Sequence, residues 1–72
     1  MTDATIVDAR GLSCPEPVVR TRKALAALAE GRVDVLVDTV TSRENVSRYA
    51  RSQGWTAEVK DEGDHFVVSL RK

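Results

Sequence analysis

The sequence has a single cysteine, three aromatic residues, two prolines and no excess of charge of either sign over its 72 residues. Each scarcity excludes something. One cysteine rules out an internal disulfide, and with His65 as the one histidine there is no four-ligand structural zinc site. Eleven basic and eleven acidic side chains cancel, so no global field is available to hold a polynucleotide or an anionic bilayer. No apolar run approaches the ~20 residues that cross a bilayer. Met1-Thr2-Asp3-Ala4 lacks the basic and apolar segments of a secretory signal. The expectation is a cytoplasmic protein, in a compartment where a free thiol persists, with no membrane partner, no metal and no cofactor. The chain is expected to form one domain over 1–72. A domain this short buries only about 60% of its unfolded surface, so it stands on a modest core of Val, Leu, Ile and Ala.

What is present is concentrated in Asp8-Ala9-Arg10-Gly11-Leu12-Ser13-Cys14-Pro15-Glu16-Pro17. A residue before proline is pushed into extended backbone, and proline is favoured at the first helical position and tolerated through the first turn. Cys14 is therefore expected at the joint between a loop and a helix N-terminus. That position favours a thiolate, because the helix end carries partial positive charge and unpaired N–H donors. Arg10, Arg20, Arg22 and Lys23 would add positive potential if they turn toward the sulfur. Glu16 acts the other way, since a neighbouring carboxylate disfavours ionisation. A mildly activated thiol results. A lone cysteine is often an inert core residue, but one held between Ser13 and Pro15 and followed by Glu16 is badly placed for burial. Gly11 would allow a tight loop, and Asp8 with Arg10 forms at least a surface ion pair.

Along the chain, Thr5 to Ala9 reads as a strand, and the helix opened by Pro15 runs toward Ala29-Glu30, with Gly31 as its stop. Val18, Thr21, Leu25 and Leu28 share its core-facing stripe. Val33 to Val37 is a nearly continuous apolar run, as in a central strand. Thr41-Ser42-Arg43-Glu44 matches a capping box with Thr41 as the cap. The second helix places Val46, Tyr49, Ala50 and Gln53 on one side and stops at Gly54, and Glu44 to Arg48 has the spacing of an i,i+4 ion pair. Trp55–Lys60 and His65–Leu70 alternate as two strands around an Asp61-Glu62-Gly63-Asp64 turn. The order β-α-β-α-β-β predicts an α+β two-layer sandwich, with two helices on one face of a four-stranded mixed sheet.

Asp8-Ala9, Gly11-Leu12, Cys14-Pro15-Glu16-Pro17-Val18 and Arg22-Lys23 resemble the TusA/SirA-like sulfur carriers, whose Cys-Pro-x-Pro motif opens the first helix on the same element order. Val37-Asp38 and Ser42-Arg43-Glu44-Asn45-Val46 through Arg48 to Gly54 look closest to the YedF-like subgroup. The resemblance implies that Cys14 takes sulfur as a persulfide from a cysteine desulfurase or another persulfide donor. It would then relay the sulfur to an acceptor sulfurtransferase or thiolation enzyme, for tRNA thiolation, cofactor maturation or sulfur and selenium metabolism. Asp8, Arg10, Gly11, Pro15, Glu16 and Pro17 would support the loop, and Arg20, Arg22 and Lys23 would meet partners. With no second cysteine, transfer has to be intermolecular. His65, far along the chain, reads as a strand residue on a wet face rather than a general base.

Two rivals are weaker. The fold also resembles the C-terminal domain of bacterial translation initiation factor three, which would make Arg20, Arg22, Lys23, Arg43, Arg48 and Arg51 an RNA-binding or protein-interaction face. Zero net charge and few aromatics argue against direct nucleic-acid binding. A peroxide sensor would form a sulfenate at Cys14, but sensors of that kind keep a resolving cysteine nearby.

Overall fold

The β-branched run at the middle of the chain becomes the spine of the molecule. In the computed structural model, which describes residues 5–12, 16–28 and 30–72, β2 (Arg32–Val37) lies between β1 (Thr5–Asp8) and β4 (Phe66–Arg71), with β3 (Thr56–Asp61) outermost. β1 runs parallel to β2, and β4 runs antiparallel to both β2 and β3. The expected α+β sandwich is formed: helices α1 (Glu16–Ala26) and α2 (Val40–Ser52) pack side by side over the sheet. Alternation decides which side they cover. Val33, Val35 and Val37 of β2 and Val68 and Leu70 of β4 are fully buried beneath the helices. Leu25 of α1, Val46 and Ala50 of α2, Ala9 and Trp55 complete the core. The intervening residues, including Ile6, Asp34, Leu36, Val67 and Ser69, share the uncovered face.

Three local readings need correction. The first helix stops at Ala26, short of Ala29-Glu30. A tightened last turn, with Leu28 N–H donating to Leu25 at 3.2 Å, releases the chain early so that Gly31 can exchange two backbone hydrogen bonds with Lys72 at the rim of the sheet. Leu28 nevertheless packs against the core, as its place in the apolar stripe requires; Ala29 lies outside the described residues. The second correction concerns the cap of α2, which is Thr39 rather than Thr41. Thr39 is extended (φ −130°, ψ 153°) and its hydroxyl accepts from Ser42 N–H at 3.1 Å. Thr41 is already inside the helix, so no capping box forms. The third follows from the same shift: Glu44 pairs with Arg43 at 2.7 Å, and Arg48 donates to Asn45 at 2.9 Å instead of meeting Glu44. Removing the cap with Thr39→Ala should cost about 1 kcal/mol, read as a lower urea midpoint with an unchanged m-value.

Buried hydroxyls are satisfied within their own helices. Thr21 donates to the Pro17 carbonyl and Ser47 to that of Arg43, each at 2.8 Å. These bonds let polar residues line the inner side of a helix without a desolvation penalty.

Candidate functional site

The carboxyl ends of the two parallel strands and the turn between β3 and β4 converge at one end of the sheet, where open α/β sheets commonly bind their ligands. The β1–α1 loop leaves this end and carries the proline-flanked thiol. Ser13, Cys14 and Pro15 themselves lie outside the described residues, so the site is built here from the residues on either side.

On the amino-terminal side, Asp8 and Arg10 form a two-pronged pair on exposed backbone. Arg10 Nε and Nη2 donate to the two carboxylate oxygens at 3.0 Å each, and Arg10 N–H donates to Oδ1 at 3.2 Å. These contacts hold the Asp8 carboxyl down at about 2, the Arg10 side-chain bond contributing most and the Arg10 backbone bond next. The folded carboxyl is the stronger acid, so the link adds stability above the unfolded value of 3.8 and loses it as pH falls toward about 2. A carbon-detected NMR titration should find Asp8 titrating near 2, and Arg10→Ala should return it toward 3.8.

Gly11 follows with φ +76°, a left-handed conformation that disfavours any side chain even though the space around it is open. Its N–H donates to Asp38 Oδ2 at 2.7 Å. This bond ties the thiol-bearing loop to the joint between β2 and α2. On the carboxyl-terminal side of Cys14, Glu16 is the exposed first residue of α1, and Pro17 is fully buried against the core. Pro17 thus anchors the helix start, while Glu16 faces solvent.

Asp8, Arg10, Gly11, Leu12 and Arg20 line an open groove of about 550 Å³. Arg20 is brought in from α1 by its position one turn beyond the helix start. Arg22 and Lys23 are exposed farther along the same helix and do not line the groove. Of the residues expected to support or serve the thiol, Asp8, Arg10, Gly11 and Arg20 are therefore gathered together. Glu16 and Pro17 flank the site, and Arg22 and Lys23 belong to the outer surface of the helix layer.

The structure adds two participants that were not expected. Asp38 holds the loop directly. The Asp64–His65 pair, with His65 Nδ1 at 2.6 Å from Asp64 Oδ1, lies in the β3–β4 turn at the same end of the sheet. The signal for Asp38 was its place directly after a parallel strand, opposite the joint that carries Cys14. His65, expected as the first residue of the last strand, instead lies in the turn just before β4 (Phe66–Arg71).

Charge is partitioned across the layers. The helices carry Arg20, Arg22, Lys23, Arg43, Arg48 and Arg51 against Glu16 and Glu44 alone. Because the chain is neutral, the strands and loops hold the matching acidic excess. Arg43 also lies over the half-buried ring of Phe66, 4.9 Å from its centre, beside the same end of the sheet. Among the described residues no group of acidic, histidine or cysteine side chains is arranged to hold a metal ion. Nor is any described helix long and apolar enough to cross a membrane.

Relatives agree with this geometry. The family model described as Sulfurtransferase TusA matches residues 5–72. The sulfur carrier protein TusA of Allochromatium vinosum is 34% identical over 92% of this chain and 90% of its own length. The YrkI protein of Bacillus subtilis is 35% identical, spanning 100% of this chain and 99% of its own. A crystal structure of a SirA-like protein from Desulfitobacterium hafniense superposes with a TM-score of 0.88 at 37% identity, covering 93% of this chain and 95% of that one. The family match across both strand–helix joints and the hairpin, together with the shared fold, shows that this chain belongs to the TusA family.

Proposed function

We propose that this protein is a sulfur carrier that accepts sulfur as a persulfide on Cys14 and relays it to an acceptor protein. The observation that carries the reading is the groove at the carboxyl ends of the parallel strands, lined by Leu12 two residues before Cys14 and bordered by α1, which begins two residues after it. Arg10 and Arg20 line that groove. The relative from Allochromatium vinosum is named as a sulfur carrier protein.

The chemistry is thiol exchange. The Cys14 thiolate attacks the terminal sulfur of a donor persulfide; the new S–S bond forms as the donor's own S–S bond breaks, and the donor cysteine leaves as thiolate. In the second step an acceptor thiolate attacks the terminal sulfur of Cys14–S–S⁻, and Cys14 leaves as thiolate. Each step exchanges one S–S bond for another, so no external oxidant or cofactor is needed. Arg20, facing the groove, supplies positive potential for the sulfur anion. Glu16 limits the acidity of the thiol, which suits exchange because nucleophilicity falls with pKa. A cysteine desulfurase is the proposed donor, and an acceptor sulfurtransferase or thiolation enzyme the proposed recipient. Arg22 and Lys23 belong to the cationic helix surface offered to such partners. The resemblance of Val37-Asp38 and the α2 segment favours the YedF-like branch.

The test is incubation with a cysteine desulfurase and cysteine, followed by intact mass measurement. The expected result is a gain of one sulfur atom that dithiothreitol removes. A gain of one oxygen instead, or no gain, refutes the reading.

A further inference from the structure

The end of the molecule opposite the thiol-bearing loop holds a second opening. Each helix runs from the carboxyl end of one strand to the amino end of another, so both helices stop at this end and β2 starts there. A pocket of about 210 Å³ lies among Leu25, Ala26, Leu28, Tyr49, Gln53, Trp55 and Lys72. Trp55 and Leu25 are buried in the core, and Tyr49 and Leu28 are half-buried against it. The deep part of the lining is therefore aromatic and aliphatic, whereas Gln53 and Lys72 are exposed at the rim. The six residues of β2, at about 3.3 Å each, set this pocket roughly 20 Å from the groove of Arg10 and Arg20.

Hydrogen bonding at the rim decides what an occupant has to bring. The carbonyls that end α2 are already engaged. The Ser52 hydroxyl donates to the Tyr49 carbonyl at 2.6 Å, the Gln53 and Trp55 N–H groups to that of Ala50 at 3.0 Å each, and Gly54 N–H to that of Arg51 at 3.1 Å. These acceptors offer little to a ligand that donates. Lys72 is placed differently. Its main chain exchanges two bonds with Gly31, at 3.1 and 3.2 Å, while its side chain turns back past Gly54. There the ammonium donates to the Gln53 carbonyl in a single long bond of 3.4 Å. An ammonium has three donors, and among the described residues no carboxylate pairs with this one. The pocket thus sets a cation with donors to spare above an apolar floor.

We propose that this pocket binds a small monocarboxylic acid. Its apolar body, a single ring or a short branched chain, packs against Trp55, Tyr49, Leu25 and Leu28, and its carboxylate meets the Lys72 ammonium. The volume sets the size of the acid. An apolar cavity of about 150 Å³ takes benzene, so the space here suits one ring with a short acid arm and is too small for a nucleotide. Cys14 takes no part, and the site stands whether or not the chain carries sulfur.

The probe is phenylacetate, with phenylacetamide as its uncharged counterpart. Trp55 is the one tryptophan of the sequence, so indole emission reports directly from the pocket wall. Phenylacetate should change that emission saturably, with a Kd of about 1 mM or below for a ligand of about ten non-hydrogen atoms. It should also shift the amide NMR signals of Leu28, Gln53 and Trp55. Phenylacetamide should bind about three- to fivefold more weakly, the level of one partly exposed charge interaction. Lys72→Met keeps the apolar stem and removes the charge. It should abolish the preference for the acid and leave the affinity for the amide as it was, with a matched melting curve as the check on folding. The comparison of acid with amide needs no variant, so it decides the matter even if Lys72→Met does not fold. Emission unchanged up to about 20 mM phenylacetate, or equal affinity for acid and amide, overturns the proposal. So does a preference for the acid that survives Lys72→Met, or a set of shifts confined to the Arg22 and Lys23 face of α1. Emission that follows protein concentration rather than probe would mean that a second copy fills the pocket, and overturns it as well.

Discussion

Replacing Cys14 by serine should reduce sulfur loading to background while leaving the melting curve close to that of wild type. A serine hydroxyl is not ionised near neutral pH and does not attack a persulfide, whereas a thiolate does so by ordinary exchange. The sequence has no other thiol, so no secondary site can hold residual sulfur. The measurement is intact mass after incubation with a cysteine desulfurase and cysteine. The result that would sink the proposed chemistry is a serine variant gaining the same dithiothreitol-labile sulfur as wild type. Pro17 is buried and Gly11 is tied to Asp38, so both ends of the loop are anchored by residues the substitution leaves untouched. Loss of loading with an unchanged fold is therefore the expected pair of observations.

The largest effect on stability should come from Leu70→Ala. Leu70 is fully buried on β4, opposite Val33 on one side and Ala57 on the other, and is among the largest fully buried side chains of the core. Truncating a buried leucine costs roughly 2–5 kcal/mol, the transfer term plus the cavity left behind. Domains are stable by about 0.05–0.15 kcal/mol per residue, so a chain of this size loses about a fifth of its stability or more. The melting midpoint should fall by roughly 10–30 °C, followed by far-ultraviolet circular dichroism. A fall below about 5 °C would mean that the cavity collapses and that the β2–β4 core is more plastic than its complete burial indicates.

The sequence was most legible where periodicity and backbone chemistry acted together. The run Val33–Val37 could be read as a central strand because β-branched and aliphatic residues broken only by Asp34 suit a strand bonded on both sides, which is where β2 lies. Asp61-Glu62-Gly63-Asp64 announced its turn: Gly63 takes φ +98° and Asp61 caps it by accepting from Gly63 N–H at 2.9 Å. Helix termini were harder to read. Thr39 and Thr41 both precede plausible helix starts, and the choice between them depended on where β2 released the chain. The end of α1 was set by a partner, Lys72, at the far end of the sequence. The same division holds for the site. The Asp8–Arg10 pair and the need for Gly11 were readable from one short stretch. Asp38 was not, because its bond to Gly11 joins two loops distant along the chain.

The charge partition between the helices and the rest of the chain bears on how this molecule meets others. A neutral body feels no net pull in a partner's electric field, but one whose positive charge is concentrated on its helices has a dipole moment and feels a torque. Such a body turns as it approaches, within the ~8–10 Å over which salt leaves fields intact. A partner lined with carboxylates turns the cationic helices toward itself. Raising the salt concentration then blurs the angle of arrival rather than the frequency of collision.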